Sequence, residues 1–219
     1  MTECKYMIFD LDGTLFDTIG DIMNSGNELL HTYGKAPYGL EDYKGFVGLG
    51  VERLVMALVS GRGIEATDLA KIIKQYLDIY RRRMLETTSL YPGIAELIND
   101  LKVRGITLGI LSNKPDNDVL LLVEHFNLGS SFAVVMGKRP ELPIKPDPAS
   151  LLHVLKVLGA KLEEVVYVGD TKTDIETAKN AGVTSIGVTW GFRSRQELSD
   201  AGADFIVDEP GSILKIVKG

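Results

Sequence analysis

The chain has 219 residues, of which 45% are hydrophobic, and its formal net charge at pH 7 is −6. This length is enough for one sizeable domain, or for a core domain with a smaller insert. Its 24 lysines and arginines are scattered and are outnumbered by 30 acids, which argues against a dedicated nucleic-acid or anionic-membrane binder.

The first predicted element is the apolar run Tyr6–Phe9, which is typical of a strand covered on both faces. Asp10 and Asp12 follow it, and a Gly-Thr pair comes next. If the strand continues to Asp12, the two carboxylates project to the same side, where they need a cation or a shared proton. A strand end with an Asp-Gly turn explains the same residues, so the motif alone leaves both interpretations open.

The segment 18–90 shows helical periodicity and no convincing strand. Helices are predicted at 21–33, 51–59 and 67–85, and the loop 45–50 separates the first two. A segment of this length is too long for a loop. It therefore predicts a small α-helical domain that is inserted after the first strand.

From residue 91 onward, apolar strands alternate with amphipathic helices, which predicts a parallel, doubly wound α/β sheet. A helix is predicted at 94–104, and another begins after Asp147-Pro148 and ends at Gly159. The predicted strands are 106–111, a weaker one at 132–136, 165–168, 184–189 and 205–207. The expected α/β core therefore comprises residues 1–17 and 91–219, with the helical domain at 18–90.

Polar clusters stand where the predicted strands end or the next helix begins. They are Asp10, Asp12 and Thr14; Ser112 and Asn113; Lys145; and Asp170 with Asp174. Ligands of open parallel sheets bind outside the carboxyl ends of the strands. We therefore expect these side chains to converge on one site.

The clusters carry complementary chemistry. A hydroxyl, an amide and an ammonium, from Ser112, Asn113 and Lys145, suit a phosphate group. Three carboxylates, those of Asp10, Asp12 and Asp170, suit Mg²⁺, which prefers oxygen ligands. The combination predicts a phosphate site with a magnesium ion.

Asp174 lies four residues after Asp170, on the same helix face if the helix has begun. It is expected either to orient Lys145 or to support the metal. Taken one at a time, these two aspartates are explained as helix caps and Lys145 as an exposed loop lysine. Those explanations are less convincing for all three residues together.

These motifs resemble those of the haloacid dehalogenase superfamily phosphatases, and in particular phosphoglycolate phosphatase-like members. The resemblance covers the whole chain in order and spacing, through Asp10-Leu-Asp12-Gly-Thr14-Leu, Ser112-Asn113, Lys145-Pro146 and Gly169-Asp170-x-x-x-Asp174. Family members with a helical insert after the first motif carry a cap domain there. The resemblance therefore implies a Rossmann-like core with the cap domain at 18–90.

The resemblance also implies roles for single residues. It makes Asp10 the nucleophile, Asp12 the general acid/base, and Mg²⁺ the cofactor, held by Asp10, the Asp12 backbone carbonyl and Asp170. Thr14 is assigned to the phosphate-binding set with Ser112, Asn113 and Lys145, and its hydroxyl is expected to brace the loop. In the cap, Gly48, Gly50 and Arg53 are candidates for the leaving-group pocket, although a helix start with a surface arginine explains them too.

The predicted function is Mg²⁺-dependent hydrolysis of a small phosphate monoester through an aspartyl phosphate. The loop 187–193 resembles that of phosphoglycolate phosphatases, which favours 2-phosphoglycolate as substrate, with pyrophosphatase and 5′-nucleotidase branches as alternatives. A sugar phosphomutase is less favoured because no histidine lies between residues 15 and 30. Two other classes of protein remain as alternatives: a receiver-like signalling domain and a non-catalytic phosphate-binding relative. The position of the acidic pair disfavours the first, and the complete motif set disfavours the second.

Partners and location follow from composition. Cys4 is the one cysteine, so an internal disulfide is excluded and a reducing, cytoplasmic setting fits. No apolar stretch is long enough to predict a membrane span. A small-molecule phosphate ester is the expected partner, with neither nucleic acid nor membrane, and the sequence does not distinguish a monomer from a dimer.

Overall fold

The computed structural model describes residues 2–218, which form a parallel α/β sheet with helices on both faces. The strands are β1 (Thr2–Glu3), β2 (Tyr6–Phe9), β3 (Phe16–Asp17), β4 (Ser89–Leu90), β5 (Thr107–Pro115), β6 (Val134–Lys138), β7 (Val165–Gly169), β8 (Thr184–Val188), β9 (Phe205–Val207) and β10 (Val217–Lys218). Six of them pair in parallel in the order β6-β5-β2-β7-β8-β9. The predicted fold class is therefore confirmed.

The helices alternate with these strands and leave one long helical segment near the start. They are α1 (Ile19–Thr32), α2 (Leu40–Phe46), α3 (Val51–Gly61), α4 (Leu69–Arg83), α5 (Ile94–Val103), α6 (Asp116–His125), α7 (Ala149–Leu158), α8 (Lys172–Ala181), α9 (Arg195–Asp200) and α10 (Ile213–Ile216). The predicted stop at Gly159 is confirmed, because that glycine takes a left-handed conformation after α7.

Strand β2 is buried on both faces, as its unbroken apolar sequence predicts. Ile8 packs in one hydrophobic cluster with residues of α7 and α8, whereas Met7 and Phe9 belong to a second cluster with residues of α5 and α6. Successive side chains of a strand point to opposite faces. The sheet therefore has a packed helical layer on each side, with β2 at its centre.

The segment 18–90 contains four helices rather than the three that were predicted. The additional helix is α2, so the predicted loop 45–50 is wrong for its first two residues and shrinks to 47–50. The short, polar sequence of α2 lacks a full amphipathic repeat, which explains why periodicity missed it. The expectation of no strand is also wrong, because β4 pairs with β3 in an antiparallel ladder.

This β3–β4 ladder joins the two connections between the helical segment and the sheet, and Asp21 of α1 secures it. The Asp21 carboxylate is fully buried and accepts hydrogen bonds from the backbone N–H and the hydroxyl of both Thr87 and Thr88, at 2.6–3.2 Å. The apolar residues of the segment belong to the same cluster as one face of the sheet. The division into a core and a cap domain at 18–90 stays a prediction.

Strand β5 is longer than the predicted strand 106–111, and this matters for the site. It continues to Pro115 because pairing with β6 resumes at Pro115 and Lys138 after a shift in register. Ser112 and Asn113 therefore lie inside a strand rather than after it. Between residues 2 and 218, the structure contains no helix with the length and apolar character of a membrane span.

Candidate active site

The first motif forms a tight loop directly after β2. The strand ends at Phe9, so strand alternation does not extend to Asp12 as the prediction required. The loop closes instead through the Leu11 carbonyl, which accepts from the N–H groups of Leu15 and Phe16 at 3.0 Å. Gly13 permits this turn with a φ of 84°. Asp10 and Asp12 both line the same cleft.

Lys145 lies beneath Asp10, and its ammonium is almost completely enclosed. Nζ is 2.9 Å from Asp10 Oδ1, but its three N–H groups are directed to the Leu111 carbonyl (3.2 Å), the Tyr167 hydroxyl (3.0 Å) and Asp174 Oδ1 (2.7 Å). Within the described part of the chain, Asp10 Oδ1 has no hydrogen-bond donor of suitable geometry. This oxygen therefore lies next to a cation and keeps a lone pair that accepts no hydrogen bond.

Asp174 orients Lys145, which is one of its two predicted roles. Its Oδ1 pairs with Lys145, and its Oδ2 accepts from the backbone N–H and the hydroxyl of Thr171 at 3.0 and 2.6 Å. This second set of bonds is a capping box at the start of α8. The same carboxylate therefore fixes the helix start and the lysine.

Asp170 is fully buried at the end of β7. The Thr14 hydroxyl donates to its Oδ1 at 3.0 Å, and the Phe192 N–H donates to its Oδ2 at 2.8 Å. Thr14 does not line the cleft; its hydroxyl braces the Asp170 carboxylate instead of facing the cleft. The Trp190 indole N–H also donates to the Thr14 carbonyl at 3.0 Å, so the loop after β8 supports the first motif.

Ser112 and Asn113 are both buried at the cleft, but their side chains differ in use. The Ser112 hydroxyl oxygen accepts from the Lys114 N–H at 3.2 Å and lines the cleft. The Asn113 amide holds the Lys145 backbone, donating to its carbonyl at 3.0 Å and accepting from its N–H at 2.9 Å. It also donates to the Gly48 carbonyl at 3.0 Å. The Asn113 side chain therefore builds the site and ties it to the helical segment.

Three of the buried carboxylates fit a divalent cation. Asp10, Asp170 and Asp174 present oxygens that all lie within 4.8 Å of one another. Burial and then the charge of Asp174 raise the pKa of Asp10 to about 7, and burial with both neighbours raises the pKa of Asp170 well above its usual range. This cluster needs positive charge to be fully ionised. Asp174 is ion-paired with the Lys145 ammonium, whereas Asp170 accepts only from neutral donors, so Asp10 and Asp170 are the carboxylates that suit Mg²⁺.

Lys114 was not among the predicted site residues, although it lines the cleft. Its Nζ donates to Asp12 Oδ1 and Oδ2 at 2.9 and 3.1 Å, and it is 4.6 Å from the centre of the Tyr80 ring. A signal for it exists in the sequence, because Lys114 follows Ser112 by two residues and shares its side of a strand. Because the strand was predicted to end at residue 111, this alternation was not applied to Lys114.

The cleft lies between the sheet and the helical segment and has a volume of about 580 Å³, including its mouth. Ile22, Leu54, Tyr76, Leu77 and Tyr80 form an apolar wall on the helical side. Gly48 and Gly50 also line it, with φ of 118° and 83°. Arg53 does not: its side chain is exposed on α3 and outside the cleft lining, in line with the surface-arginine alternative.

Several contacts hold the helical segment against the sheet. The Arg193 guanidinium donates to the carbonyls of Lys44 and Val47, the latter at 3.0 Å. Arg81 of α4 pairs with the buried Asp118 at 2.9 Å, and Lys138 pairs with Glu52 of α3. The Arg193 contact was not predicted, because its acceptors are backbone carbonyls that no sequence pattern reveals.

The fold and the site together place a cluster of buried carboxylates and a buried lysine at the carboxyl end of a parallel sheet. Residues 7–188 match the family of haloacid dehalogenase-like hydrolases, and the chain belongs to that family. This confirms the family resemblance of the four motifs.

Individual relatives are similar over nearly the whole chain. Phosphoglycolate phosphatase of Pseudomonas putida is 30% identical over 215 residues, covering 96% of this chain and 78% of the relative. The crystal structure of a predicted phosphoglycolate phosphatase from Haemophilus somnus has a TM-score of 0.90 at 27% identity, covering 99% of both chains. A structure from Lactobacillus delbrueckii subsp. bulgaricus, described in equivalent terms, has a TM-score of 0.91 at 32% identity, covering 100% of both. These likenesses confirm the predicted enzyme class, a phosphoric monoester hydrolase similar to the phosphoglycolate phosphatases.

Proposed function

We propose that the chain is a Mg²⁺-dependent phosphatase that hydrolyses a small phosphate monoester through an aspartyl phosphate on Asp10, with 2-phosphoglycolate as the first candidate substrate. One observation carries the proposal. Asp10 lines the cleft, and its buried Oδ1 lies 2.9 Å from the Lys145 ammonium and accepts no well-oriented hydrogen bond in the described structure. A carboxylate at the cleft beside a fixed cation is suited to attack an electrophile.

In the first step an Asp10 oxygen attacks phosphorus. The bond between phosphorus and the ester oxygen breaks, its electron pair stays on the leaving oxygen, and Asp12 supplies the proton that makes the product an alcohol. In the second step water attacks the phosphorus of the aspartyl phosphate and gives a proton to Asp12. Release of inorganic phosphate regenerates the Asp10 carboxylate.

The groups that neutralise negative charge beside Asp10 are held in place before a substrate binds. Lys145 is held by Asp174, Tyr167 and the Leu111 carbonyl, so it neutralises negative charge beside Asp10 without having to reorganise. Ser112 supplies a hydroxyl at the cleft. Asp10, Asp170 and the backbone carbonyl of Asp12 would hold Mg²⁺, which supplies Lewis-acid stabilisation of the phosphoryl oxygens when it is bound.

The choice of substrate rests on the likeness to phosphoglycolate phosphatases. Pyrophosphatase and 5′-nucleotidase activities are the remaining candidates within the family. We further propose that the segment 18–90 acts as a cap domain that covers the leaving group and excludes water. The cytoplasmic location stays a prediction from the single cysteine.

The experiment is a turnover panel with purified protein. 2-Phosphoglycolate, p-nitrophenyl phosphate, pyrophosphate and a nucleoside monophosphate are each assayed with Mg²⁺ and with excess chelator. The proposal expects release of phosphate only with the metal, and the highest kcat/KM for 2-phosphoglycolate. Full activity in chelator contradicts the metal assignment, and preference for pyrophosphate or the nucleotide moves the substrate to another branch.

A further inference from the structure

The cleft contains a polar corner that the phosphoryl chemistry does not use. It is made by Lys114 and Tyr80, where the ammonium lies over the face of the ring at 4.6 Å from its centre. Lys114 comes from β5 and Tyr80 from α4, so the sheet and the helical segment meet at this point. Both residues are more than nine-tenths buried and line the cleft.

Lys114 is the sole ammonium or guanidinium group that lines the described cleft. The other charged residues of its lining are Asp10, Asp12 and Asp118, and Asp118 is paired with Arg81. Lys145 is not part of this lining. Its N–H groups donate to Leu111, Tyr167 and Asp174. Lys114 is therefore the one cationic side chain of the described cleft lining that an anionic substituent on the leaving group can contact.

Lys114 can take a further acceptor without losing Asp12. A lysine has three N–H donors, and across residues 2–218 the acceptors of this ammonium are the two oxygens of Asp12. At least one N–H is free for a ligand, and the Tyr80 ring stabilises the cation without consuming a conventional acceptor site. The ammonium is therefore held in place and still able to bind.

Its position limits what it can bind. Asp12 has to reach the ester oxygen to protonate it, and Lys114 Nζ is one hydrogen bond away from Asp12, at 2.9 Å. A group that contacts Lys114 while Asp12 contacts the ester oxygen must then be attached close to that oxygen. Ile22, Leu54 and Leu77 also line the cleft, and their side chains offer no hydrogen bonds to a leaving group.

We infer that Lys114 is the specificity-determining residue for the leaving group: its free N–H binds an anionic substituent carried close to the ester oxygen, such as the carboxylate of 2-phosphoglycolate. This inference rests on the proposed phosphatase function and extends it by naming the residue that selects the leaving group. A nucleoside and 2-hydroxyethanol carry no anionic group near the ester oxygen, so leaving groups of these kinds do not make this contact.

The experiment compares two esters of similar size. 2-Phosphoglycolate carries a carboxylate where 2-hydroxyethyl phosphate carries a neutral hydroxymethyl group. With Mg²⁺ present, the wild type is expected to favour 2-phosphoglycolate, and Lys114→Met is expected to lower the ratio of the two kcat/KM values by about tenfold or more. Lys114 also contacts Asp12, so the variant slows both substrates, and the ratio cancels that common loss.

Lys138→Met is the matched control, because Lys138 also connects the sheet to the helical segment, through Glu52, without lining this cleft. It should leave the ratio unchanged. Lys114→Arg, which keeps the charge, should retain much of the preference. A binding readout is independent of turnover: in the Asp10→Asn background, calorimetry should show that Lys114→Met weakens binding of 2-phosphoglycolate more than binding of 2-hydroxyethyl phosphate.

The possible failures are distinguishable. A wild type that hydrolyses p-nitrophenyl phosphate but does not favour 2-phosphoglycolate over 2-hydroxyethyl phosphate overturns this inference and leaves the phosphatase intact, whether or not any variant folds. An unchanged ratio in Lys114→Met overturns it as well. A wild type that hydrolyses no phosphate ester with Mg²⁺ overturns the proposed function and this inference together.

Discussion

Lys145 and Asp174 form an ion pair with 2.7 Å between Nζ and Oδ1, and their side chains are only 2% and 0% exposed. Removing one partner of such a pair leaves the other charge buried without compensation. The pair joins the residue beside Asp10 to the start of α8, so we expect its loss to affect both stability and activity.

We expect Asp174→Ala to lower the free energy of unfolding by roughly 3–5 kcal/mol, measured by urea denaturation. Glu176→Gln is the matched control, because Glu176 pairs with Lys172 on the same helix with both side chains more than a third exposed. That control should change stability by less than about 1 kcal/mol. Similar losses in the two variants would show that burial of the Lys145–Asp174 pair is not what stabilises the protein.

The roles proposed for Asp10 and Asp12 predict different kinetic defects. Asp10→Asn should be folded and inactive, because it keeps the volume of the side chain and loses the nucleophile. Asp12→Asn should be slowed by about 10²–10⁴-fold, but p-nitrophenolate leaves without needing a proton. We therefore expect this variant to release a burst of nitrophenolate, close to one per enzyme, before a slow steady state in rapid-mixing experiments. Near wild-type turnover by Asp10→Asn would refute the nucleophile assignment.

The metal-free protein should become less stable as the pH rises toward neutrality. Burial raises the pKa of Asp10 to about 7, whereas its usual value is 3.8. Between these values the folded state binds more protons than the unfolded state, so the unfolding free energy falls with rising pH. Asp170 shifts in the same direction.

A bound cation favours the ionised carboxylates, so Mg²⁺ should stabilise the protein more at pH 7.5 than at pH 5. Thermal unfolding with Mg²⁺ and with chelator at the two pH values measures this difference. Asp10→Asn, which cannot ionise at this position, should show a smaller dependence on pH. An equal effect of Mg²⁺ at both pH values in the wild type would exclude the cluster as its binding site.

Arg193 is expected to hold the helical segment closed over the leaving group. It donates to the Val47 carbonyl at 3.0 Å and to the Lys44 carbonyl. Arg193→Ala should raise KM for 2-phosphoglycolate and lower kcat/KM by about tenfold, with a smaller effect on p-nitrophenyl phosphate. Arg53→Ala, which removes an exposed arginine of the same segment, serves as the control and should behave like the wild type.

The loop 47–50 gives the last prediction. Gly48 and Gly50 line the cleft with positive φ values of 118° and 83°, a region that other residues rarely adopt. We expect Gly48→Val to distort this loop and weaken the contact between the Gly48 carbonyl and Asn113, lowering kcat/KM for 2-phosphoglycolate more than for p-nitrophenyl phosphate. Gly34→Val is a control at another left-handed glycine, away from the cleft and with open space around it. Equal losses on both substrates would assign Gly48 a purely structural role.

The sequence by itself determined the class of fold and the motif residues. Apolar runs such as Tyr6–Phe9 and the alternation of strands and helices after residue 91 are local patterns, and each corresponds to an element of the sheet. The sequence also predicted which side chains lie close together, because parallel strands present their carboxyl ends at one edge. These are Asp10, Ser112, Lys145 and Asp170. The helix stop at Gly159 follows from a local rule too.

The tertiary structure alone decided how those residues are partnered. Lys114 and Asp12 are 102 positions apart in the sequence, and no periodicity predicts that they meet. Asp174 pairs with Lys145, although the sequence allowed a metal as its partner. Asn113 holds Lys145 and Gly48. Both outcomes depend on which atoms come within hydrogen-bonding distance after packing. Hydrogen bonds and ion pairs are short-range and directional, so their partners are settled only when distant segments are held against one another.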